Sequence, residues 1–182
     1  MIVGLTGKAG TGKDTAGAAL VAKLNFTRMA FADPIKEALN AMFGWPPANW
    51  DDREWKEHPL TGLDISPRRL AQTLGTEWGR NLNHSFWIVA AESRITQRLS
   101  TSTRYVFTDV RFNNEAEWIQ SQGGLVVELR RDGINAVEGH ASENGVHPSL
   151  IDFTLFNNES VAAIEEDAVN EISFKITEGI LK

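Results

Sequence analysis

The sequence predicts an α/β fold, a five-stranded parallel sheet with helices on both faces. Three observations predict it. Short apolar runs alternate with amphipathic stretches along the whole chain, which is the pattern of strand–helix–strand crossovers. The first run, Met1-Ile2-Val3-Gly4-Leu5, leads directly into a glycine-rich turn and then a helix. The third run, Arg104-Tyr105-Val106-Phe107-Thr108-Asp109, ends in a carboxylate. In a parallel sheet the carboxyl ends of strands face the ligand crevice.

The turn after the first strand is Gly7-Lys8-Ala9-Gly10-Thr11-Gly12-Lys13-Asp14-Thr15. Strand, glycine turn and helix together are the context that a phosphate-binding loop requires. Glycines let backbone N–H groups turn inward as an anion cradle, and the helix N-terminus adds partial positive charge. Lys13 would reach the outer phosphates of a nucleoside triphosphate. The general pattern G-x-x-x-x-G-K-[ST] breaks at Asp14, which stands where a Mg²⁺-binding hydroxyl belongs. Either Thr15 or a water held by Asp14 could serve the metal instead. A glycine turn that caps a helix and binds nothing is the plainer alternative. Ala16, Ala19, Leu20 and Leu24 carry the helix onward at helical spacing.

The whole chain has 182 residues, enough for one domain with a full core. Hydrophobic content of 42% and charged content of 23% suit a globular protein rather than a disordered one. A net charge of -6 argues against general affinity for nucleic acid or anionic membrane. An acidic chain that binds phosphates must concentrate its arginines locally. Cysteine is absent, which excludes disulfides and thiolate metal sites. The glycine loop interrupts the apolar stretch after Leu5, so no signal peptide is expected, and no run approaches the ~20 apolar residues of a spanning helix. The expected location is cytoplasmic.

Phe26 to Phe31 reads as the second strand. Asp33-Pro34 opens a helix, with Asp33 as N-cap and Pro34 in the first turn, and Ile35, Ala38, Leu39 and Met42 form its apolar face. Capping and substrate contact are compatible roles for Asp33. From Gly44 to Leu63 regularity disappears. Trp45, Trp50 and Trp55 there read as packing anchors rather than base-stacking platforms.

Ser66-Pro67 begins the next helix by the same cap-then-proline rule, with Leu70, Ala71, Leu74 and Trp78 expected on its buried face. Arg68, Gln72, Thr76 and Arg80 follow at intervals of four and form a drifting polar stripe. Its arginines, with Arg69 beside them, have no acidic partner at i+4. Gly75 lies mid-helix, where glycine costs about 1 kcal/mol against alanine unless something approaches the backbone. Both features favour a binding role over a solvated face. Gly79 reads as a helix end.

Phe86 to Leu99 is a further helix. After the Asp109 strand, Arg111 would point into the same crevice, and Glu115 starts a helix as a first-turn acid or a site residue. Leu125 to Leu129 is the fourth strand. Arg130-Arg131 leads from it into a polar stretch that includes His140-Ala141-Ser142-Glu143, a lid-like loop over about 130–148. His140 and His147 are too sparse to argue for zinc. Asp152 to Phe156 is the fifth strand, and Val161, Ala162, Ile164, Ala168 and Ile172 mark the last helix. Right-handed crossovers put the phosphate loop and the end of the Asp109 strand on one rim.

These residues resemble the phage-type deoxynucleoside monophosphate kinases, relatives of adenylate kinase and dephospho-coenzyme A kinase. The resemblance covers nearly the whole chain. It rests on residues 7–15, on Phe-Ala-Asp-Pro-Ile-Lys (31–36), on Pro-Arg-Arg-Leu-Ala-Gln-Thr-Leu-Gly-Thr-Glu (67–77), on Asp-Val-Arg-Phe-Asn-Asn-Glu (109–115) and on His-Ala-Ser-Glu (140–143). It implies a three-layer P-loop kinase fold in a single domain, 1–182, with a substrate-binding excursion over about 33–85. It implies ATP-dependent phosphorylation of a deoxynucleoside monophosphate to its diphosphate. By the same resemblance Gly10, Thr11, Gly12, Lys13, Asp14, Thr15 and Arg131 would bind ATP. Asp14, Thr15 and Asp109 would hold Mg²⁺, directly or through water. Asp33, Lys36, Arg68, Arg69, Gln72, Gly75, Thr76, Arg80, Trp87, Arg111 and Glu115 would bind the monophosphate. Lys13, Asp14, Arg68, Asp109 and Arg111 would carry the transfer. The base pocket is expected to draw on the region of Phe31 and the Trp-rich excursion. Base preference and oligomeric state stay open, a homodimer included. A dephospho-coenzyme A kinase, which would need a base for its hydroxyl acceptor, and a non-catalytic ATP-binding phage module are the competing readings.

Overall fold

Strand β1 (Ile2–Thr6) is buried at every position and lies at the centre of the sheet. It feeds α1 (Lys13–Leu24), after which β2 (Thr27–Met29) enters the sheet. Next come α2 (Asp33–Phe43), a 3₁₀ turn (Pro47–Asp51), α3 (Arg53–Glu57), α4 (Pro67–Gln72), a π-helical segment (Thr73–Arg80) and α5 (Phe86–Gln97). The chain returns through β3 (Tyr105–Phe107), α6 (Asn113–Ser121), β4 (Leu125–Arg130), a 3₁₀ turn (Pro148–Leu150), β5 (Phe153–Phe156) and α7 (Val161–Thr177). This computed structural model describes residues 1–97, 104–134 and 145–181. Two compact units result, Met1–Ala30 with Gln97–Lys182, and Phe31–Thr96. The expected excursion falls inside the second.

The first unit holds the sheet, in the order β2-β3-β1-β4-β5 with every pairing parallel. Successive residues of β1 serve opposite faces, as pleating requires. Val3 and Leu5 belong to the core that also takes Ala16 and Leu20 from α1 and Ile164, Ala168 and Ile172 from α7. Gly4 faces the other way, where a Cβ would lie 2.5 Å from Ile119 Cδ1 of α6. Glycine at that position is what lets α6 settle onto the sheet. Fully burying a leucine or isoleucine contributes about 1.5–3 kcal/mol, so this shared core sets the rigidity of the loop it carries.

The ends of several elements differ from expectation. β2 does not begin at Phe26, because Asn25 is left-handed (φ 57°) and the Phe26 N–H donates to Leu20 O at the end of α1. Asp33 is the first residue of α2 rather than its cap; Ala32 holds the cap position and makes no side-chain cap bond. The last two residues of the helix predicted to reach Leu99 lie outside the described residues, as does His-Ala-Ser-Glu (140–143). The loop expected from 130 begins later, since Arg130 is the last residue of β4.

In the second unit the irregular stretch from Gly44 to Leu63 contains two short helices around an aromatic cluster. Trp45 stacks on Phe43 at 4.5 Å between centroids, and Trp50 and Trp55 meet edge to face at 5.4 Å. Trp50 is buried and its indole N–H donates to Asn40 Oδ1 at 2.8 Å. α2 and α5 are joined by a bidentate pair between Glu37 and Arg94, Nη1 to Oε1 at 2.8 Å. The hydrogen bond that Arg94 donates to Glu37 raises the Arg94 pKa above its ordinary value. The pair is exposed enough that it contributes about 0–1 kcal/mol.

The helix predicted from Ser66 forms, with Ser66 Oγ accepting from the Arg69 N–H at 3.2 Å, but it changes character at Thr73. Trp78 is 49% exposed, contrary to its expected burial. The buried positions are instead Gly75, Gly79 and Arg80. The reason lies in α5. Trp87 is buried, its indole N–H donates to Gly75 O at 2.6 Å, and its ring lies where a Gly79 Cβ would sit, 2.6 Å from Cζ2. A side-chain donor on a helix carbonyl, next to two glycines, suits a widened turn. Gly79 is therefore a packing position, not a helix end. Gly79→Ala is expected to destabilise the protein by about 1–3 kcal/mol through overpacking against a rigid ring. A thermal melt should show a midpoint lowered by about 3–10 °C, and an unchanged midpoint would contradict this packing.

Candidate active site

Three glycines give the loop after β1 its shape. Gly7, Gly10 and Gly12 have φ of 125°, 81° and 100°, a region costly for residues with a Cβ. A Cβ on Gly7 would lie 2.3 Å from Leu129 O, a backbone atom of β4 that cannot move aside. Thr11 is buried, and its hydroxyl donates to Lys8 O at 2.9 Å, closing the loop on itself. Gly12 is the cap residue of α1 and supplies no side-chain acceptor, so no side chain caps the first N–H groups of that helix. Those groups and the helix dipole favour an anion there.

Lys13 is the first residue of α1, and its ammonium folds back over the loop. Nζ donates to Gly7 O at 2.6 Å and to Lys8 O at 2.7 Å. The positive charge is thus placed within the turn by the turn's own carbonyls. Asp14 is exposed and Thr15 half-buried.

Beside the loop, the Val110 N–H donates to Leu5 O at 3.1 Å. This bond brings the segment after β3 alongside the strand that feeds the loop, with Asp109 and Arg111 on either side of it. Glu115 is 2% exposed; its Oε2 accepts from the Arg111 N–H at 2.8 Å and the Phe112 N–H at 3.1 Å. It therefore caps α6 and fixes the backbone that carries Arg111, the first of the two roles open to it from sequence. Arg131 is exposed in the turn after β4.

In the second unit the four-residue stripe survives the change of helix type. Four residues overshoot a turn of α-helix, but undershoot a turn of π-helix, whose bonds reach i+5. The drift from Arg68 to Gln72 is therefore offset from Thr76 to Arg80. Arg68, Gln72 and Thr76 are half-buried, while Arg80 is buried and donates through Nη1 to His84 O at 3.2 Å. Both neighbouring arginines have acidic partners after all. Arg68 Nε meets Glu57 Oε1 of α3 at 2.5 Å, and Arg69 Nη2 meets Glu77 Oε1 at 3.0 Å. The approach that explains glycine at position 75 comes from protein, the Trp87 indole and Ile35 Cδ1. Trp87 serves that packing. Lys36 Nζ stands 5.8 Å from the centroid of the Trp50 ring, and Asp33 begins the same helix.

One residue escaped the sequence reading. Asn157, directly after β5, is buried and donates through Nδ2 to Thr11 O at 3.0 Å. Its signal was the polar pair Asn157-Asn158 closing an apolar strand, the same placement that drew attention to Asp109.

A parallel five-stranded sheet whose central strand runs through a glycine loop into a helix led by lysine defines a P-loop kinase. Solved structures agree at the level of fold. TT1252 from Thermus thermophilus shares 18% identity at a TM-score of 0.54, covering 96% of this chain and 97% of its own. Shikimate kinase from Aquifex aeolicus shares 13% at 0.51, covering 97% and 99%. The family model described as deoxynucleotide monophosphate kinase matches residues 62–168, and the chain belongs to that family. The deoxynucleoside-5'-monophosphate kinase of Escherichia phage T5 is 25% identical, over 97% of this chain and 94% of its own. A protein of Acanthamoeba polyphaga mimivirus, whose name also assigns it to these kinases, is 29% identical over 88% and 90%. The protein is thus an enzyme that phosphorylates deoxynucleoside monophosphates to diphosphates. Among the described residues, no helix is long and apolar enough to cross a membrane.

Proposed function

We propose that the donor is ATP, bound by the loop from Gly10 to Thr15, and that the acceptor monophosphate is held by Arg68, Arg69, Gln72 and Thr76. The observation that carries the donor assignment is the left-handed glycine turn that enters α1 with Lys13 already over it. Backbone N–H groups hold the triphosphate, and Lys13 neutralises charge on its outer phosphates. Asp14, Thr15 and Asp109 are oxygen donors of the kind Mg²⁺ takes. Among the described residues, no group of three or more acidic, histidine or cysteine side chains could hold a metal ion. Mg²⁺ is usually bound by one or two carboxylates with substrate phosphates and water rather than by a protein cage. When bound, the ion neutralises charge as the phosphoryl group moves.

The acceptor oxygen is already anionic, so transfer needs no strong base. Asp14 and Asp109 serve metal and orientation. Two anionic substrates repel, and cationic side chains such as Lys13 and Arg111 lower that repulsion. The salt bridges of Arg68 and Arg69 with Glu57 and Glu77 keep these cations placed, and the phosphate competes for them as a stronger bidentate partner. Tryptophans 45, 50 and 55 support this unit by packing on one another.

A coupled ADP-release assay with ATP and Mg²⁺ tests the reading. Each of the four deoxynucleoside monophosphates, their ribose forms and dephospho-coenzyme A are offered in turn. ADP release with one or more deoxynucleoside monophosphates is expected. Release with dephospho-coenzyme A alone, or with no acceptor, would contradict it.

A further inference from the structure

We propose that Asn157 is a positioning residue for the phosphate loop, aiming a backbone N–H at the donor nucleotide. The inference rests on the assignment of ATP to that loop. Asn157 lies 146 residues from its partner in sequence, and its Nδ2 donates to Thr11 O at 3.0 Å in a buried setting. A trans peptide is planar, with its C=O and the following N–H pointing in opposite directions. Holding Thr11 O toward Asn157 therefore commits the Gly12 N–H to the opposite side. Gly12 is the cap of α1, so this amide belongs to the set that would meet an anion.

The neighbourhood is built around that contact. A Cβ on Gly12 would lie 2.5 Å from Asn157 Nδ2 and 3.4 Å from its Cγ, so the bare α-carbon and the asparagine are matched. Asn157 itself is fixed by its own N–H, which donates to Arg130 O at the end of β4 at 2.7 Å. The next residue fastens the same turn. Asn158 Oδ1 accepts from the Asp132 N–H at 2.9 Å, and Asn158 Nδ2 donates to Asp132 Oδ2 at 2.9 Å. The amide is thus held in place before any ligand arrives, which is how a supporting residue helps a site without touching the substrate.

Two substitutions separate positioning from simple packing. Asn157→Ala removes the donor; Asn157→Asp keeps the shape but sets a carboxylate oxygen against the Thr11 carbonyl. Calorimetric titration of the full chain with ATP·Mg²⁺, without acceptor, should give affinities weaker by about tenfold or more. Asn157→Asp should be the weaker of the two. KM for the monophosphate should stay within about twofold, while the melting midpoint falls in both variants, because each leaves the buried Thr11 carbonyl without its donor. If Asn157→Asp binds ATP as the unmodified chain does, or if both substrates weaken in parallel, the positioning role is overturned. If the unmodified chain fails to bind ATP, the donor assignment falls, and this inference with it.

Discussion

Replacing Lys13 with alanine is expected to lower turnover by about 10²–10³-fold while the fold survives. The ammonium sits over the loop on Gly7 O and Lys8 O, and it is half-buried at the start of α1. On the proposed assignment of ATP to the loop, its removal takes away a charge that offsets the moving phosphoryl group, and takes nothing from the core beneath. Alanine is also a good helix former, so α1 keeps its start. Coupled ADP release measures the loss and a thermal melt checks the fold. Turnover close to that of the unmodified enzyme would remove Lys13 from the transfer step. A collapse of the melting midpoint would mean that its two bonds to the loop are structural.

Arg111→Ala is expected to cost turnover on the order of 10³-fold, the scale of an arginine that stabilises transferring phosphoryl charge. The contacts of Glu115 that cap α6 go to the Arg111 and Phe112 N–H groups, which any side chain preserves. The helix should therefore stand while the guanidinium is lost. Arg111→Lys should recover only part of the rate, since a lysine cannot reproduce a planar, bidentate contact with phosphate. Equal rates for the alanine variant and the unmodified enzyme would place Arg111 outside the transfer site.

The parts of this molecule that could be read from sequence are those written locally. The glycine turn and the strand before it carry their geometry in adjacent residues, and so does the Ser66-Pro67 helix start. The apolar runs from Met1 and Leu125 announce strands because a strand between two helical layers must be apolar on both faces; β5, at the sheet edge, buries only Leu155. What escaped depends on residues distant in the chain. The widened turn at Thr73–Arg80 reflects the Trp87 indole on Gly75, twelve residues away. The stripe looked unpaired because Glu57 and Glu77 are not at i+4, yet both reach it in space. Asp33 could be assigned to the start of a helix but not to one position within it, since a Pro34 in the first turn is compatible with either. Asn157 could not be tied to the loop by any spacing rule, because a sheet order with β1 and β5 separated by β4 is what brings it there.

We propose that donor and acceptor nucleotides are bound by the chain at the same time. The direct measurement is the dissociation constant of a single molecule that joins adenosine to a deoxynucleoside through a polyphosphate chain. Such a compound should bind about 10²-fold or more tighter than ATP, because its second half binds at a high effective concentration. It should also compete with both substrates. An affinity no better than that of ATP, with competition against only one of the two, would contradict simultaneous binding of the two nucleotides.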